Sequence, residues 1–387
     1  MKKGPSKPKR REMIWVMCLT VILILVGIVP SLAEDGETGL EVSGLQVIHE
    51  LEFGRVYITL TIEEFNDLGF AFGDSVNVVF SNGYTLEDIP YYNGFYCHNG
   101  ETLLIGYPKY DYIKACINYG DDLWDVAGLD ENDTARIALN ERGKYANIQE
   151  ARDLRYGDDR SLYESDAIFA NFRNIRVGNL REGLLYRSAS PCDNQHNRAP
   201  YADALIADAG VRFILNLADT DEKMKGYIGQ EDFNSPYFLS LYQEGKVHPA
   251  AMNMNFSSES FRTKMVGALR AMLNNDGPYL IHCTEGKDRT GFVCMLLEAL
   301  CGAGYEEIAE DYMITYRNYY GVTKESEPVK YETIQRELLE PMIRALMDDN
   351  PEVDLQTANL SEYAGGFLKK LGMSEEEITR LRDKLTK

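Results

Sequence analysis

Residues 279–300 constrain the fold of this chain more than any other part of the sequence. Residues 279–282 form a short apolar run typical of a buried strand, and residues 292–300 are typical of an apolar helix. Gly286 and Gly291 lie in the segment between them and allow a tight turn. This order predicts a strand–loop–helix unit within an α/β layer architecture, because an apolar strand and helix must pack against further elements.

The loop between this strand and helix, residues 283–289, is called here the Cys283 loop. Such a loop directs backbone N–H groups inward at the positive end of the helix dipole, which creates an anion-binding site. The same field favours the thiolate form of a cysteine such as Cys283, and the planar guanidinium of Arg289 can bind two oxygens of one phosphate. Together they predict attack on phosphorus through a cysteinyl-phosphate intermediate.

Further residues are expected to contact the phosphate or to support the loop. The hydroxyl of Thr290 can donate a hydrogen bond to the sulfur of Cys283, and His282 can hold the loop through a backbone contact. For Arg187 two roles are open, a contact with the phosphate and an ion pair that braces the loop. The predicted substrate-binding residues are Thr284, Glu285, Gly286, Lys287, Thr290 and Arg187.

Residues 282–291 read His-Cys-Thr-Glu-Gly-Lys-Asp-Arg-Thr-Gly. This pattern resembles the Cys-x5-Arg-Ser/Thr signature of the cysteine-dependent protein tyrosine phosphatases, in particular their exported bacterial branch. Asn-Phe-Arg-Asn at 171–174, Leu-Tyr-Arg-Ser at 185–188 and the segment 371–382 resemble further motifs of that branch. The resemblance covers residues 165–387. It implies a central sheet flanked by helices and a tyrosine, dual-specificity or lipid phosphatase activity.

The general acid that protonates the leaving group has two candidates. Many tyrosine phosphatases carry it in a Trp-Pro-Asp loop, but the only tryptophans of this chain are Trp15 and Trp124, outside the resembling region. The resemblance implies Asp288, within the Cys283 loop, as the first candidate. Asp219 is the second, because it follows a predicted strand ending at Leu217, and ligand sites collect at the carboxyl ends of parallel strands.

The first part of the chain has a different character. Residues 34–45 are acidic and contain glycine, which predicts a flexible lead-in. Short β-branched and aromatic runs then recur at spacings typical of a small barrel or sandwich. These runs are residues 56–62, 75–80, 102–107, 112–118 and 135–140.

Residues 50–142 also resemble the C-terminal β-barrel domain of the S-adenosylmethionine hydroxide adenosyltransferase family. That family's site needs an N-terminal α/β domain, which is not found in this sequence. The segment is therefore expected to be a binding or docking module, or a purely structural barrel.

The N-terminal 33 residues combine six basic residues, an apolar run at 13–29 and the small residues Ser31 and Ala33. This arrangement predicts an export signal cut after Ala33. An uncleaved membrane anchor is the alternative, because the 17-residue run approaches the length of a spanning helix. Both place the remaining chain outside the cytoplasm. Removing this segment, with its six basic residues and one acidic residue, would change the net charge from −21 to −26.

The predicted organisation is thus a signal peptide or anchor at 1–33, a β-barrel-like domain at 34–150, a linker at 151–164 and a catalytic domain at 165–387. The predicted fold class is α/β, a cysteine-phosphatase domain preceded by a small all-β barrel. The chain has 40 Lys and Arg against 61 Asp and Glu, which excludes nucleic acid as a partner.

No His/Cys cluster has the spacing of a metal site, so neither a metal nor a cofactor is predicted. The expected partner is a phosphorylated protein or a small phosphomonoester, and membrane contact is expected only through an N-terminal anchor. The oligomeric state is not predicted. The predicted function is that of an exported phosphotyrosine or dual-specificity phosphatase. The alternatives are a phosphoinositide or inositol phosphate phosphatase and a phosphate-binding pseudophosphatase.

Overall fold

A computed structural model describes residues 39–387 of the chain. The export segment predicted at residues 1–33 lies outside the described residues. Leu40–Lys387 form one compact unit. Within the described range, every helix is too short or too polar to cross a membrane.

The first part of this unit is a closed seven-stranded barrel. Its strands are β1 (Glu41–Glu50), β2 (Arg55–Thr61), β3 (Ser75–Phe80), β4 (Thr85–Tyr92), β5 (Thr102–Ile105), β6 (Tyr112–Ile117) and β7 (Thr134–Glu141). They close in the order β1-β2-β6-β5-β4-β3-β7, and only β4 and β5 pair in parallel. Alternating side chains such as Val56 and Ile58 are fully buried in the interior. The predicted barrel is therefore confirmed.

Strand β1 corrects the expectation of a flexible lead-in at residues 34–45. From Glu41 onward this segment pairs with β7, and further along it pairs with β2. The register shifts between Val42 and Leu45, around Gly44 with φ +74°. A bulge at this glycine increases the local bend, so one strand can serve two neighbours. The pairing partners, rather than the local residue pattern, make this segment a strand.

Short helices accompany the barrel and lead out of it. Helices α1 (Ile62–Asp67) and α2 (Leu123–Ala127) connect barrel strands, and α3 (Ala146–Arg152) follows β7. A 3₁₀ turn at Arg160–Leu162 and helix α4 (Asp166–Phe169) then precede the second sheet.

The second sheet has five strands, which are β8 (Arg173–Asn174), β9 (Leu185–Ser188), β10 (Phe213–Asn216), β11 (Val247–Pro249) and β12 (Tyr279–His282). Their order is β11-β10-β12-β9-β8, and all pairs are parallel except β8 with β9. All four residues of the central strand β12 are buried. This sheet and the helices around it confirm the predicted α/β fold.

Ten α-helices lie within residues 199–387 of the described chain. They are α5 (Ala199–Asp208), α6 (Asp221–Ile228), α7 (Pro236–Gln243), α8 (Glu259–Leu273), α9 (Asp288–Leu300), α10 (Tyr305–Tyr320), α11 (Pro328–Ile334), α12 (Glu340–Arg344), α13 (Leu360–Lys370) and α14 (Glu375–Thr386). Helix α9 is buried from Thr290 to its end, as its apolar sequence predicts. The predicted capping box of Ser374 and Glu377 opens α14.

Candidate active site

The Cys283 loop joins the end of β12 to the start of α9. His282 is paired in register with Ser188 at the end of β9 and with Asn216 at the end of β10. The loop therefore emerges at the carboxyl edge of three parallel strands, where α/β folds form their sites. Cys283 itself is only 3% exposed.

All five backbone carbonyls of residues 283–287 accept hydrogen bonds. The donors are His282 Nδ1 to Cys283 O (3.1 Å), Ser190 N to Thr284 O (3.0 Å), Tyr319 Oη to Glu285 O (2.7 Å), Arg187 Nη2 to Gly286 O (3.0 Å) and Gly291 N to Lys287 O (2.7 Å). The amides of residues 284–287, by contrast, donate no hydrogen bond within the described part of the chain. These N–H groups are therefore free to bind an anion, while protein donors hold the carbonyls of the same loop.

Gly286 permits the backbone to make this turn. Its φ is +68°, a conformation that L side chains rarely adopt. A Cβ atom at this position would also lie 2.2 Å from the carbonyl oxygen of Ser188. Only glycine therefore fits here.

Asn171, the first residue of the predicted N-terminal motif, supports the loop from behind. Its Nδ2 lies 3.3 Å from Gly286 O and 3.1 Å from Thr315 Oγ1. Its Oδ1 accepts hydrogen bonds from Arg173 and Asn318. The amide thus ties the loop both to the strand that follows Asn171 and to α10.

Arg187 braces the loop, which is one of the two roles left open by the sequence. Its guanidinium is 1% exposed and donates to Gly286 O at 3.0 Å and to Asp311 Oδ2 at 2.9 Å. Burial opposes ionisation of Asp311, but Arg173 and Arg187 outweigh it and lower the pKa of that carboxyl to about 2. Its Nη1 and Nη2 bind protein groups, whereas its buried Nε has no hydrogen-bond partner among the described residues, so the predicted contact of Arg187 with substrate stays a prediction.

The side chain of Arg289 retains free donor capacity. Its Nη1 lies 3.2 Å from Met252 O and its Nη2 lies 3.4 Å from Thr284 Oγ1. Its Nε is buried and has no hydrogen-bond partner among residues 39–387. A phosphate bound in the loop would satisfy this donor.

Two predicted supporting contacts have different outcomes. His282 Nδ1 contacts the carbonyl of Cys283, and burial lowers the pKa of the imidazole to about 4, so His282 is neutral near pH 7. Thr290 Oγ1 is buried without a partner among the described residues, so the predicted hydrogen bond to the sulfur is not formed. Thr290 belongs to the first turn of α9.

The side chains of Glu285 and Lys287 bind each other. Lys287 Nζ lies 3.2 Å from Glu285 Oε2 and 3.2 Å from Tyr320 Oη. Burial disfavours the ammonium, but Asp288 and Glu285 outweigh it and raise the pKa of Lys287 well above its usual range. The charge of Lys287 is therefore largely compensated within the protein. The backbone N–H groups of both residues remain available to a phosphate.

Sequence analysis missed Tyr156, which lies in the predicted linker at 151–164. Its Oη donates to Glu285 Oε1 at 2.7 Å. Its ring stacks on Tyr319 at 4.9 Å, and the guanidinium of Arg198 lies over both rings. Since Tyr319 donates to Glu285 O, these aromatic residues hold both the backbone and the side chain of one loop residue. No local motif marks Tyr156 in the sequence.

The two general-acid candidates have different surroundings. Asp219 is 3% exposed and accepts hydrogen bonds from Asn216 and Tyr227. It lines a polar pocket of about 540 Å³ together with Thr284 and Arg289. Asp288 lines a different cleft, and its side chain is 33% exposed.

A cysteine held by a central parallel strand, within a loop of free N–H groups, defines the class of cysteine-type phosphatases. A family model described as the tyrosine phosphatase family matches residues 169–387, more than half of the chain. The protein therefore belongs to the tyrosine phosphatase family.

Known proteins similar to this chain include a tyrosine-protein phosphatase from Nostoc commune, 33% identical over 131 residues. The match covers 30% of this chain and 42% of that protein, so the chain spans less than half of that relative's length. The core catalytic domain of the PP-IP phosphatase SIW14 from S. cerevisiae, solved with citrate, is 20% identical with a TM-score of 0.26. That match covers 46% of this chain and 93% of the solved one.

An uncharacterized conserved protein from Thermotoga maritima is 23% identical to part of this chain, with a TM-score of 0.22. That match covers 25% of this chain and 35% of the solved one.

Proposed function

We propose that the protein hydrolyses phosphate monoesters with Cys283 as nucleophile, and that phosphotyrosyl or dual-specificity phosphoprotein substrates are its targets. The observation that carries this proposal is the engagement of every carbonyl at 283–287, which leaves the loop N–H groups to the phosphoryl oxygens. Arg289, with its unpaired buried Nε, supports the same conclusion.

In this mechanism the thiolate of Cys283 attacks phosphorus, and the S–P bond forms while the bond from phosphorus to the leaving oxygen breaks. The loop N–H groups and Arg289 bind the phosphoryl oxygens, where charge is concentrated in the transition state. A protonated aspartic acid gives its proton to the leaving oxygen. Water then attacks the phosphocysteine and transfers a proton to that carboxylate, which releases inorganic phosphate and restores the thiolate.

Asp288 remains the first candidate for the acid. Its carboxyl makes no hydrogen bond within residues 39–387, and Lys287 Nζ lies 3.9 Å away. Both carboxylate oxygens of Asp219, by contrast, accept hydrogen bonds from neighbouring side chains. The free carboxyl of Asp288 has more capacity to bind a leaving oxygen.

Hydrolysis of p-nitrophenyl phosphate tests the nucleophile. We expect Cys283→Ser to lower kcat by at least about 10³-fold and Arg289→Lys by about 10²-fold, because serine is a weaker nucleophile here and lysine cannot bind two oxygens. Activity should persist in a chelator. A wild-type protein that binds phosphate but hydrolyses no monoester would contradict the proposal and favour the pseudophosphatase.

The choice of acid is tested by comparing leaving groups. The phenolate released from phenyl phosphate needs a proton far more than the stable p-nitrophenolate does. Loss of the acid should therefore lower hydrolysis of phenyl phosphate more than that of p-nitrophenyl phosphate. We expect this difference for Asp288→Asn and not for Asp219→Asn, and the reverse result would assign the role to Asp219.

Phosphoinositides and inositol phosphates are the second substrate class to test. Their extra phosphates would need free positive charge, but Lys287 already faces Glu285 and Asp288. We therefore expect phosphotyrosyl peptide to exceed phosphoseryl peptide, phosphoinositide and inositol hexakisphosphate in kcat/KM. A higher value for either inositol substrate would overturn this ranking.

We also propose that the chain acts outside the cytoplasm, on the basis of the export pattern at residues 1–33. Expression in a bacterial host followed by fractionation and N-terminal sequencing tests this proposal. Cleavage is expected after Ala33, and an intact N-terminus in the membrane fraction would favour the anchor. Recovery from the cytoplasm alone would contradict both.

A further inference from the structure

A cleft of about 550 Å³ lies between the barrel and the catalytic part of Leu40–Lys387, and is called here the barrel cleft. Phe95, residues 97–99 and residues 118–119 of the barrel form one wall. Residues 254–257 and residues between 337 and 349 form the opposite wall. Asp288, a member of the Cys283 loop, lines the same cleft. The barrel therefore contributes to a surface that reaches the proposed catalytic loop.

Direct contacts join the two walls. Asn99 Nδ2 donates to Asn255 Oδ1 at 3.1 Å, and Arg152 Nη2 lies 3.3 Å from Glu337 O. The imidazole of His98 lies 3.8 Å from the carboxylate of Glu337. Helix α3, which carries Arg152, also packs on α11. The cleft is consequently preformed, which lowers the entropic cost of binding a ligand.

We infer that the barrel cleft binds the polypeptide segment next to the phosphorylated residue of a protein substrate. This inference rests on the proposed function, and it gives the barrel a role in substrate selection. Asp288 connects the proposed catalytic site with the barrel cleft, because it is both the first candidate for the general acid and a residue that lines the cleft. A leaving group protonated by Asp288 would have its attached chain beside this cleft.

The lining suits a peptide. Aromatic rings of Phe95, Tyr119 and Phe256 offer apolar surface for side chains. The amide oxygens of Asn99 and Asn118 can accept from a peptide backbone, while their Nδ2 groups already donate to Asn255 Oδ1 and Cys97 O. A mixed apolar and amide lining of this kind is typical of sites that bind extended peptides by their backbone and alternate side chains.

The charge of the cleft favours a neutral or basic segment over further phosphates. Asp288, Glu337 and Asp349 outnumber the one arginine of the lining, Arg152. Arg336 pairs with Glu337 at 2.8 Å and Lys287 lies 3.9 Å from Asp288, which leaves Asp349 as the uncompensated carboxylate. Asp349 forms no ion pair within the described residues and is exposed. Lysine or arginine beside the phosphorylated residue would therefore gain electrostatic complementarity, whereas an acidic neighbour would be repelled.

The test compares two phosphotyrosyl peptides of equal length, one with lysines and one with glutamates beside the phosphotyrosine. For each protein the readout is kcat/KM on a peptide divided by kcat/KM on p-nitrophenyl phosphate, which is too small to fill the cleft. Wild type should prefer the lysine peptide. Tyr119→Asn and Asp349→Asn should each lower the lysine-peptide ratio roughly fivefold, as expected for losing one contact.

Matched controls exist for both substitutions. Asp348→Asn changes the neighbouring aspartate, which has nearly the same φ but pairs with Lys370 and does not line the cleft. Phe53→Asn removes an exposed barrel aromatic outside the cleft. Both controls should keep the wild-type ratio. Asparagine tolerates the positive φ of Tyr119 and Asp349, so folding should be retained.

Equal ratios in the cleft variants and their controls would overturn the inference while leaving the proposed function intact. So would a wild-type preference for the glutamate peptide. If wild type hydrolyses no monoester, the proposed function fails. The inference about the barrel cleft is then tested by measuring peptide binding. In that case fluorescence anisotropy should show weaker lysine-peptide binding to full-length Tyr119→Asn than to Phe53→Asn, and equal binding would overturn the inference.

Discussion

At the scale of single residues, the Cys283 loop depends on contacts made by its backbone. Gly286 allows the turn because no side chain could fit against Ser188. Arg187 and Tyr319 then hold the neighbouring carbonyls. The proposed recognition of phosphate by N–H groups therefore requires residues that never need to touch the substrate.

We expect Gly286→Ala to destabilise the protein by about 3 kcal/mol, because a positive φ and a steric clash with Ser188 combine. Gly245→Ala is the matched control, since Gly245 has φ +69° and open space around its Cα. Its expected cost is only about 1 kcal/mol, from the backbone conformation. Urea unfolding measures both, and equal losses would show that the clash is relieved.

We expect Tyr156→Phe to lower kcat/KM for p-nitrophenyl phosphate roughly fivefold, because Glu285 loses a donor that helps to hold the loop. Burial raises the pKa of Glu285, but Lys287 and the Tyr156 hydroxyl outweigh it and lower that pKa overall. Without the hydroxyl the pKa should rise, so the acidic limb of the pH–rate profile should move to higher pH.

Tyr163→Phe is the control for this prediction. Tyr163 lies in the same segment, and its hydroxyl donates to Gly157 O instead of contacting the loop. An unchanged pH profile in Tyr156→Phe, or an equal shift in Tyr163→Phe, would contradict a positioning role for Tyr156.

At the scale of secondary structure, α9 and α10 form a buried polar layer behind the loop. Asp311 of α10 pairs with Arg173 at 2.9 Å and with Arg187 at 2.9 Å. Glu298 of α9 lies in the same layer and is 1% exposed. Burial, followed by the negative charge of Asp311, raises its pKa well above the usual range.

Because of this raised pKa, Glu298 is expected to lower the free energy of unfolding as the pH rises. Above pH 4.5 an unfolded chain releases the proton that the folded protein retains, so stability falls as pH rises, by up to about 1.4 kcal/mol per pH unit. Glu298→Gln removes this term. Its stability relative to wild type, measured by urea unfolding, should therefore increase between about pH 5 and about pH 7.

Glu310→Gln on α10 is the control, because Glu310 is exposed and no shift in its relative stability is expected from burial. A constant difference between Glu298→Gln and wild type across this pH range would show that Glu298 is ionised in the folded protein.

At the scale of the whole molecule, a chain with a net charge of −21 carries the proposed phosphate site. The positive field is local, since it comes from N–H groups, Arg289 and a largely compensated Lys287. Long-range repulsion should therefore act most strongly on highly charged substrates. The barrel cleft, with more carboxylates than cations, has the same sign as the molecule.

We expect added salt to raise kcat/KM for inositol hexakisphosphate more than for phosphotyrosine, because salt screens the repulsion between the acidic protein and a highly charged substrate. The Debye length falls to about 8 Å at physiological ionic strength. Steady-state kinetics over a series of NaCl concentrations measures this effect, with p-nitrophenyl phosphate as a weakly charged control. Equal salt effects on both substrates would indicate that the global charge does not act at the site.

Some of this architecture was evident from residue order alone. The apolar strand, the Cys-x5-Arg loop and the apolar helix are local patterns, so the position of Cys283 and Arg289 between a strand and a helix was predictable together with the α/β fold. Most barrel strands were likewise visible through β-branched runs. Strands β1 and β4 were not predicted. For β1, pairing with β7 supplies what its own acidic, glycine-containing sequence lacks.

The sequence by itself determined the order of elements and the position of Cys283 and Arg289 on one loop, because each depends on residues close together in the chain. Only the tertiary structure decided how the loop is held. Tyr156 and Glu285 are 129 residues apart, and Arg187 and Asp311 are 124 residues apart. Contacts across such separations leave no periodic pattern in the sequence. The barrel cleft arises in the same way, from two parts of the chain that meet only in the folded state.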